Sequence, residues 1–379
     1  MHLSQKDYER YSRQLLIPEI GVTGQEVLKN SSVLIVGAGG LGSPVSLYLA
    51  GAGIGNIGIV DYDPVEISNL HRQVVHGTSS LGLPKVESAK SRLQELNPEI
   101  NINIFNEPFT STNAMRIAEG YDVIVDGTDN FPARYLINDV SFFLGIPFVF
   151  GSVFRFEGQV SVFNKFEGPC YRCIFPEPPP PGTVPTCAEA GVLGVLPGFI
   201  GMIQATETIK LILDIGTSLS GRLLIYDALD MNFEKIKINK NQECSLCGSN
   251  PTVTELIDYE EFCGFPGTQS KAITSGEITP KELERKIKNG ENFVLVDIRE
   301  PHELAISSLE EAILIPLNQL AEHKNDLLGY DEIVIFCRTG SRTIKGAAIL
   351  KDMGLTNVMQ LKGGINAWAR EIDTSMRVY

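Results

Sequence analysis

VLIVGAGGLGS, residues 33–43, is an apolar strand that runs directly into glycines spaced G-x-G-x-x-G. Glycines there let the backbone approach a phosphate closely, and the amides at the start of the following helix then face the anion. A second apolar run, IGNIGIVD (54–61), ends in Asp61, where a ribose-binding acid sits in dinucleotide-binding units. A nicotinamide dehydrogenase shares both features, so the glycines leave the nucleotide's identity open.

Working outward, VLIVG, IGIVD, INIF, YDVIVDG and IPFVFGS alternate with helical stretches near 43–52, 84–96, 111–119 and 132–144. That alternation predicts an α/β fold built on a Rossmann-like, doubly wound parallel sheet. After residue 150 the pattern changes to the shorter strands EGQVSVF, RLLIYDAL and FEKIKI, which surround two cysteine pairs. PEPPPPGTVP interrupts them and reads as an extended, mobile crossover. Residues 192–213 are strongly apolar but carry Gln204, Glu207 and Lys210, the spacing of a buried helix and not of a membrane span. TELIDYEEFCGFPGTQS has no sustained period. The expected boundaries are therefore a first domain over 1–249, a linker over 250–272 and a smaller α/β domain over 273–379.

A chain of 379 residues suffices for two or three domains with their own cores. Its net charge of −14 disfavours nonspecific binding to nucleic acid or an anionic membrane. The polar N-terminus MHLSQKDYERYSRQ shows no apolar secretory core, so a cytoplasmic protein is expected. Seven cysteines, an odd number, argue against a disulfide framework. Four form C-x-x-C pairs, Cys170/Cys173 in GPCYRC and Cys244/Cys247 in QECSLCG. Two such pairs in turns complete a tetrahedral thiolate site for structural zinc, with no coordination position left for substrate. A thioredoxin-like redox pair would need a strand-to-helix junction, which neither pair has.

VEISNLHRQVVHG (65–77) places Asn69 and Arg72 in a polar loop beyond the second strand, and Lys85 opens the next helix. These side chains suit a triphosphate, and hydride transfer has no use for them. DGTDNF (126–131) puts Asp129 at the carboxyl edge of the fourth strand, where a hard cation bridges phosphate oxygens. Taken singly, Asn69 as a helix cap, Arg72 as a surface charge and Asp129 as an Asx-turn residue are the plainer readings.

In the last domain, EIVIF runs into CRTGSRT and places Cys337 at the head of a loop that opens a helix. Successive amides there form an anion-binding nest, the helix dipole adds positive charge, and Arg338 and Arg342 lie close, a setting for a reactive thiolate. A phosphatase loop is the rival reading, but it carries one more residue between cysteine and arginine.

The ordered set ERYSRQ, GAGGLGS, VDYD, SNLHRQ, DGTDN, GPCYRC and CSLCG resembles the MoeB/ThiF/HesA-type adenylyltransferases that activate ubiquitin-like sulfur-carrier proteins. FVLVDIREPHE, the Cys337 loop and LKGGINAWA resemble a rhodanese domain. The resemblance implies that Gly37, Gly39, Gly40 and Gly42 cradle ATP and that Asp61 holds its ribose. It further implies that Asn69, Arg72 and Lys85 contact the phosphates, that Asp129 binds magnesium, and that Arg13 reaches the ATP of the partner subunit in a homodimer. Cys187, in TVPTCAEAGVLG, stands where relatives carry a cysteine that the activated carrier acylates. The implied reaction adenylylates the carrier's C-terminal glycine. A Cys337 persulfide, charged by thiosulfate or a persulfide-bearing enzyme, then displaces AMP to give a thiocarboxylate. Activation of a modifier for protein conjugation, a nicotinamide oxidoreductase and a noncatalytic nucleotide and sulfur sensor are the alternatives. One departure stands out: Ser307, Ser308, Leu309, Glu310, Glu311 and Ala312 replace the rhodanese pattern Gly-His-Ile and Pro-Gly-Ala. Asp297 and Arg299 read as structural partners.

Overall fold

The computed structural model describes residues 2–165, 168–180, 190–264 and 276–379. The chain divides into two compact units, Met1–Gly267 and Thr268–Tyr379. In the first, strands β1 (Ser32–Val36), β2 (Asn56–Val60), β3 (Asn101–Phe105), β4 (Val123–Asp126), β5 (Phe148–Phe154), β6 (Glu157–Phe163), β7 (Arg222–Asp227) and β8 (Asn232–Lys237) form one sheet. Its order is β3-β2-β1-β4-β5-β6-β7-β8. β1 to β5 pair in parallel. β6 to β8 continue the sheet antiparallel. The shorter strands that the sequence sets apart thus extend the same sheet.

Both faces of the parallel part are covered, which is why β1 reads as an unbroken apolar run. Val33 and Ile35 face one core with Val45, Leu49, Val86 and Leu93 of helices Gly42–Ala52 and Lys85–Leu96. Leu34 and Val36 face the other with Ala114, Ile117, Leu136 and Val140 of helices Ala114–Ala118 and Phe131–Leu144. Burial of each such aliphatic side chain stabilises the sheet by about 1.5–3 kcal/mol.

Helix Val195–Leu213 is long and apolar enough to cross a membrane by composition alone. Instead it packs into the first core through Leu196 and Ile200. Its buried Gln204 donates through Nε2 to the carbonyls of Asp126 (2.7 Å) and Val149 (3.2 Å). Such an amide, paired to two strand carbonyls, marks a core helix, as the interrupted sequence predicts.

Part of the stretch expected as linker, 250–272, packs on the first unit. Asp258 caps a short helix, Tyr259–Phe262, by accepting from the amides of Glu260 and Glu261. Tyr259 and Cys263 are buried in the second core, and the Phe262 ring meets Tyr135 edge-on at 5.1 Å.

The second unit is a parallel sheet of β9 (Gly276–Ile278), β10 (Phe293–Asp297), β11 (Ala312–Leu314), β12 (Glu332–Phe336) and β13 (Val358–Leu361), in the order β11-β10-β12-β13-β9. Helix Pro280–Asn289 starts with a full capping box between Thr279 and Glu282 and ends on Gly290 at φ +62°. Leu283 from this helix and Trp368 from helix Gly364–Glu371 pack on one face, while Ala347 and Leu350 of helix Ser341–Asp352 pack on the other.

Candidate functional site

β1 and β4 are neighbours whose outgoing helices lie on opposite faces, and the crevice at their carboxyl ends is where an open α/β sheet takes its ligand. A cleft of about 380 Å³ occurs there, lined by Gly37, Gly39, Gly40, Asp61, Arg72, Lys85 and Asp129 among others. Gly37 has φ +98°, and a Cβ on it would lie 2.6 Å from the carbonyl oxygen of Gly127. A Cβ on Gly127 would lie 2.4 Å from the carbonyl oxygen of Gly37, so the two strand ends touch backbone to backbone. Gly42 is outside the lining. A Cβ there would meet the Gly37 oxygen at 1.9 Å, so this glycine closes the helix onto the loop.

Asp61 accepts from the amides of Ala38 (2.8 Å) and Asp63 (2.9 Å). Burial raises its pKa and outweighs the opposing pull of Lys85 and these amides. Lys85 Nζ lies 2.7 Å from Asp63 Oδ2 and 3.9 Å from Asp61 Oδ1. A buried lysine at a helix N-terminus is unfavourably placed unless acids face it, and here two do. Arg72 lines the cleft and donates to the carbonyl of Ser68 at 2.9 Å. Asn69 is buried outside the lining, where its Oδ1 accepts from Glu66 N–H at 3.1 Å, the capping arrangement. Arg13 is exposed on helix Ser12–Leu15 and does not line the cleft of its own chain. Cys187 lies outside the described residues.

Two polar residues went unread in the sequence, Gln73 in the cleft's lining and His76 behind the glycine loop. His76 bonds through Nε2 to the Ala38 carbonyl (3.0 Å) and through Nδ1 to Ser88 Oγ (2.9 Å), and burial lowers its pKa. Ala38 is therefore gripped at its N–H by Asp61 and at its C=O by the neutral His76. Gln73 is buried against Gly39 with no hydrogen-bond partner for its Oε1. Beneath them, Asp126 Oδ1 accepts from the amide (2.8 Å) and hydroxyl (2.6 Å) of Thr128, shaping the turn that presents Asp129. Burial raises the Asp126 pKa to about 6 against the opposing charge of Arg134.

The four paired cysteines converge. Their sulfur atoms all lie within 4.8 Å of one another, with Cys170–Cys244 at 3.4 Å, Cys173–Cys247 at 3.3 Å and Cys170–Cys173 at 3.8 Å. A tetrahedral zinc with bonds of about 2.3 Å sets its sulfurs about 3.8 Å apart, so this set fits the ion. Between the first pair, Arg172 donates from Nε and Nη2 to Asp139 (2.9 and 2.8 Å), and Tyr259 Oη donates to the same carboxylate at 2.8 Å. The cysteine cluster is thus tied to helix Phe131–Leu144, whose N-terminus borders the cleft.

In the second unit Cys337 directly follows β12, fully buried, and its Sγ accepts from Gly340 N–H at 3.1 Å. The LKGG turn wraps the loop: Ile365 N–H donates to the Cys337 carbonyl (2.9 Å), and a Cβ on Gly364 would meet that oxygen at 2.4 Å. Arg342 is bound on both nitrogens by Glu303, at 2.7 Å each. Arg299 clasps Asp297 and also donates to the carbonyl of Ser307 at 2.9 Å, so the departing Ser307–Ala312 segment is anchored at its start. Both behave as the structural pair expected.

Residues 11–246 match the ThiF family, and residues 279–371 match the rhodanese-like domain. The adenylyltransferase and sulfurtransferase MOCS3 of Culex quinquefasciatus is 44% identical over 396 residues, covering 100% of this chain and 90% of that protein. The sulfur carrier protein adenylyltransferase of Thermus thermophilus is 51% identical over 270 residues, covering 70% of this chain and all of that protein. Among solved structures, E. coli MccB with MccA-N7isoASN superposes with a TM-score of 0.58 at 23% identity, covering 63% of this chain and 75% of that one, a likeness of fold. The chain belongs to the ThiF family and joins to it a rhodanese-like domain, which makes it an enzyme of adenylyl transfer and sulfur transfer.

Proposed function

We propose that the protein adenylylates the C-terminal glycine of a ubiquitin-like sulfur-carrier protein with Mg-ATP and then converts that carboxylate to a thiocarboxylate with sulfur carried on Cys337. The observation that carries this reading is the cleft, which gathers the glycine loop, Asp61, Lys85, Arg72 and Asp129 around one cavity. Gly37, Gly39 and Gly40 let the phosphates approach the backbone, and Asp61 takes the ribose hydroxyls. Lys85 and Arg72 neutralise charge as the carrier carboxylate attacks the α-phosphorus and pyrophosphate leaves. Asn69 acts by holding the turn that carries Arg72. Asp129 would hold magnesium, which supplies charge neutralisation on the phosphate oxygens. Cys170, Cys173, Cys244 and Cys247 would hold a structural zinc. Arg13, exposed and away from its own cleft, is assigned to the partner subunit's nucleotide in a homodimer.

In the second half-reaction, the terminal sulfur of the Cys337 persulfide attacks the acyl carbon and AMP leaves, giving an acyl disulfide. A thiolate attacking Cys337 Sγ releases the thiocarboxylate, and a thiol reductant restores both cysteines. Cys187 is assigned to that release or to a transient thioester. The test is carrier-dependent exchange of pyrophosphate into ATP. Asp129→Ala is expected to lower it by about a hundredfold or more, and undiminished exchange would refute the assignment. A carrier acyl group that ends on a protein lysine would instead support activation for conjugation.

A further inference from the structure

Charge around the Cys337 loop does not follow from counting its arginines. Glu303 is buried and Arg342 largely so, with side chains 9% and 12% exposed. Each Glu303 oxygen accepts two hydrogen bonds: Oε2 from Arg342 Nη1 (2.7 Å) and the Glu300 amide (2.9 Å), and Oε1 from Arg342 Nη2 (2.7 Å) and Tyr379 Oη (2.8 Å). Burial alone would raise this carboxyl, but those bonds win and hold it down to about 2, so it is charged at every working pH. Tyr379 is itself fixed: its hydroxyl accepts from Arg299 Nη1 at 2.8 Å, and its backbone N–H and C=O bond to the Asn366 side chain at 3.3 and 2.7 Å. The Tyr379 ring lies 5.7 Å from the Arg338 guanidinium. Arg338 makes no ion pair among the described residues.

We propose that Glu303, braced by Tyr379, is a specificity-determining residue for the sulfur donor: it cancels the charge of Arg342 and biases the loop against dianionic donors in favour of singly charged persulfides. The proposal rests on the sulfurtransferase reading of Cys337. With Arg342 paired, Arg338 and the Cys337 thiolate sum to zero, and a thiosulfate dianion meets no net attraction. A monoanionic persulfide loses only about half as much attraction when Arg342 is paired. The transfer balances in either case. The Cys337 thiolate attacks the outer sulfur of the donor, the donor S–S bond breaks, the donor leaves as thiolate or sulfite, and Cys337 becomes a persulfide.

The experiment loads sulfur onto Cys337 in the full chain, read by intact mass, from thiosulfate and from N-acetylcysteamine persulfide. Hydrogen exchange of the second unit's own strands serves as the folding control. Glu303→Gln is expected to raise the thiosulfate-to-persulfide ratio of kcat/KM by about tenfold or more, an advantage that added salt compresses. Glu303→Asp and Tyr379→Phe, which keep the carboxylate charge, should leave the ratio within about twofold. Arg338→Gln is an arm independent of the stability of the Glu303 variant, and it should lower the ratio by about tenfold. An unchanged ratio in Glu303→Gln, an equal shift in the Asp and Phe variants, or neutralisations of Glu303 and Arg338 that move the ratio the same way would each overturn the proposal. A wild-type chain that takes sulfur on Cys337 from neither donor would overturn the sulfurtransferase reading itself, which the wild-type arm reveals separately.

Discussion

The glycine loop after β1 and the cysteine loop after β12 are built alike, each a turn from the end of a parallel strand into a helix N-terminus, yet the cations beside them are held in opposite ways. Lys85 is paired chiefly with Asp63, whose side chain is 49% exposed. So exposed an acid can turn out into solvent, which leaves its place beside Lys85 open to a phosphate. Arg342 is paired with an acid that four hydrogen bonds hold in place. Breaking a pair of that kind leaves a buried charge unmet, at a cost of about 3–5 kcal/mol. A cation beside an exposed acid is held in reserve for a ligand, whereas one beside a buried acid belongs to the fold.

The sharpest way to break this comparison is to disable each site in turn. Lys85→Ala should lower pyrophosphate exchange by about a hundredfold or more while leaving sulfur loading intact. Cys337→Ala should abolish sulfur loading while leaving exchange intact. A variant that impairs both readouts in folded protein would show that the two loops do not act as separate sites.

Metal removal is the next largest effect. Structural zinc in small peptides contributes roughly 10–16 kcal/mol to folding, which a large domain dampens. Cys244→Ser should therefore speed hydrogen exchange in helices Phe131–Leu144 and Tyr259–Phe262, which Arg172, Asp139 and Tyr259 connect to the cluster. Peptides of the second unit should not change. Equal acceleration in both units would contradict a staple confined to the first.

The smallest effect is on acid stability, where the units should diverge. Glu303, lowered from 4.5 to about 2, contributes stability that is complete above the unfolded carboxyl's range and is lost as pH falls through about 2. Asp126 runs the other way. Its pKa is raised from 3.8 to about 6, so its ionisation opposes folding above that pH and the opposition fades as pH falls toward 3.8. Between pH 6 and 4, hydrogen exchange of β4 should slow relative to that of the loop around Glu303, and the reverse trend would refute these charge environments.

What could be read in advance divides along the range of the interactions. β1, β2 and β4 are buried on both faces, so their apolar runs announce them, and Gly37 and Cys337 stand at strand ends that any period count finds. The antiparallel β6 to β8 announce themselves as strands but not as members of the same sheet, because pairing partners leave no local trace. Tyr259 reaches Asp139 across 120 residues and Tyr379 reaches Glu303 across 76, so neither contact shows in local spacing. The absence of period around residue 259 reads as linker, although one buried tyrosine and Cys263 fasten that segment to the core. His76 and Gln73 sit within VEISNLHRQVVHG, yet their positioning roles depend on burial against Ala38 and Gly39. Asn69 and Gly42 show the converse: residues of the expected types are present, but they shape the cleft from outside its lining.

The most direct test of the joined chemistry is mass spectrometry of a candidate carrier after incubation with the full chain, Mg-ATP, a persulfide donor and a thiol reductant. The account predicts a carrier that gains the mass change of oxygen replaced by sulfur at its C-terminal glycine. It predicts none with Lys85→Ala, and only the adenylate or its hydrolysis product with Cys337→Ala. Thiocarboxylate formed by Cys337→Ala at the wild-type rate would contradict it, because sulfur would then reach the carrier without passing through the rhodanese-like domain.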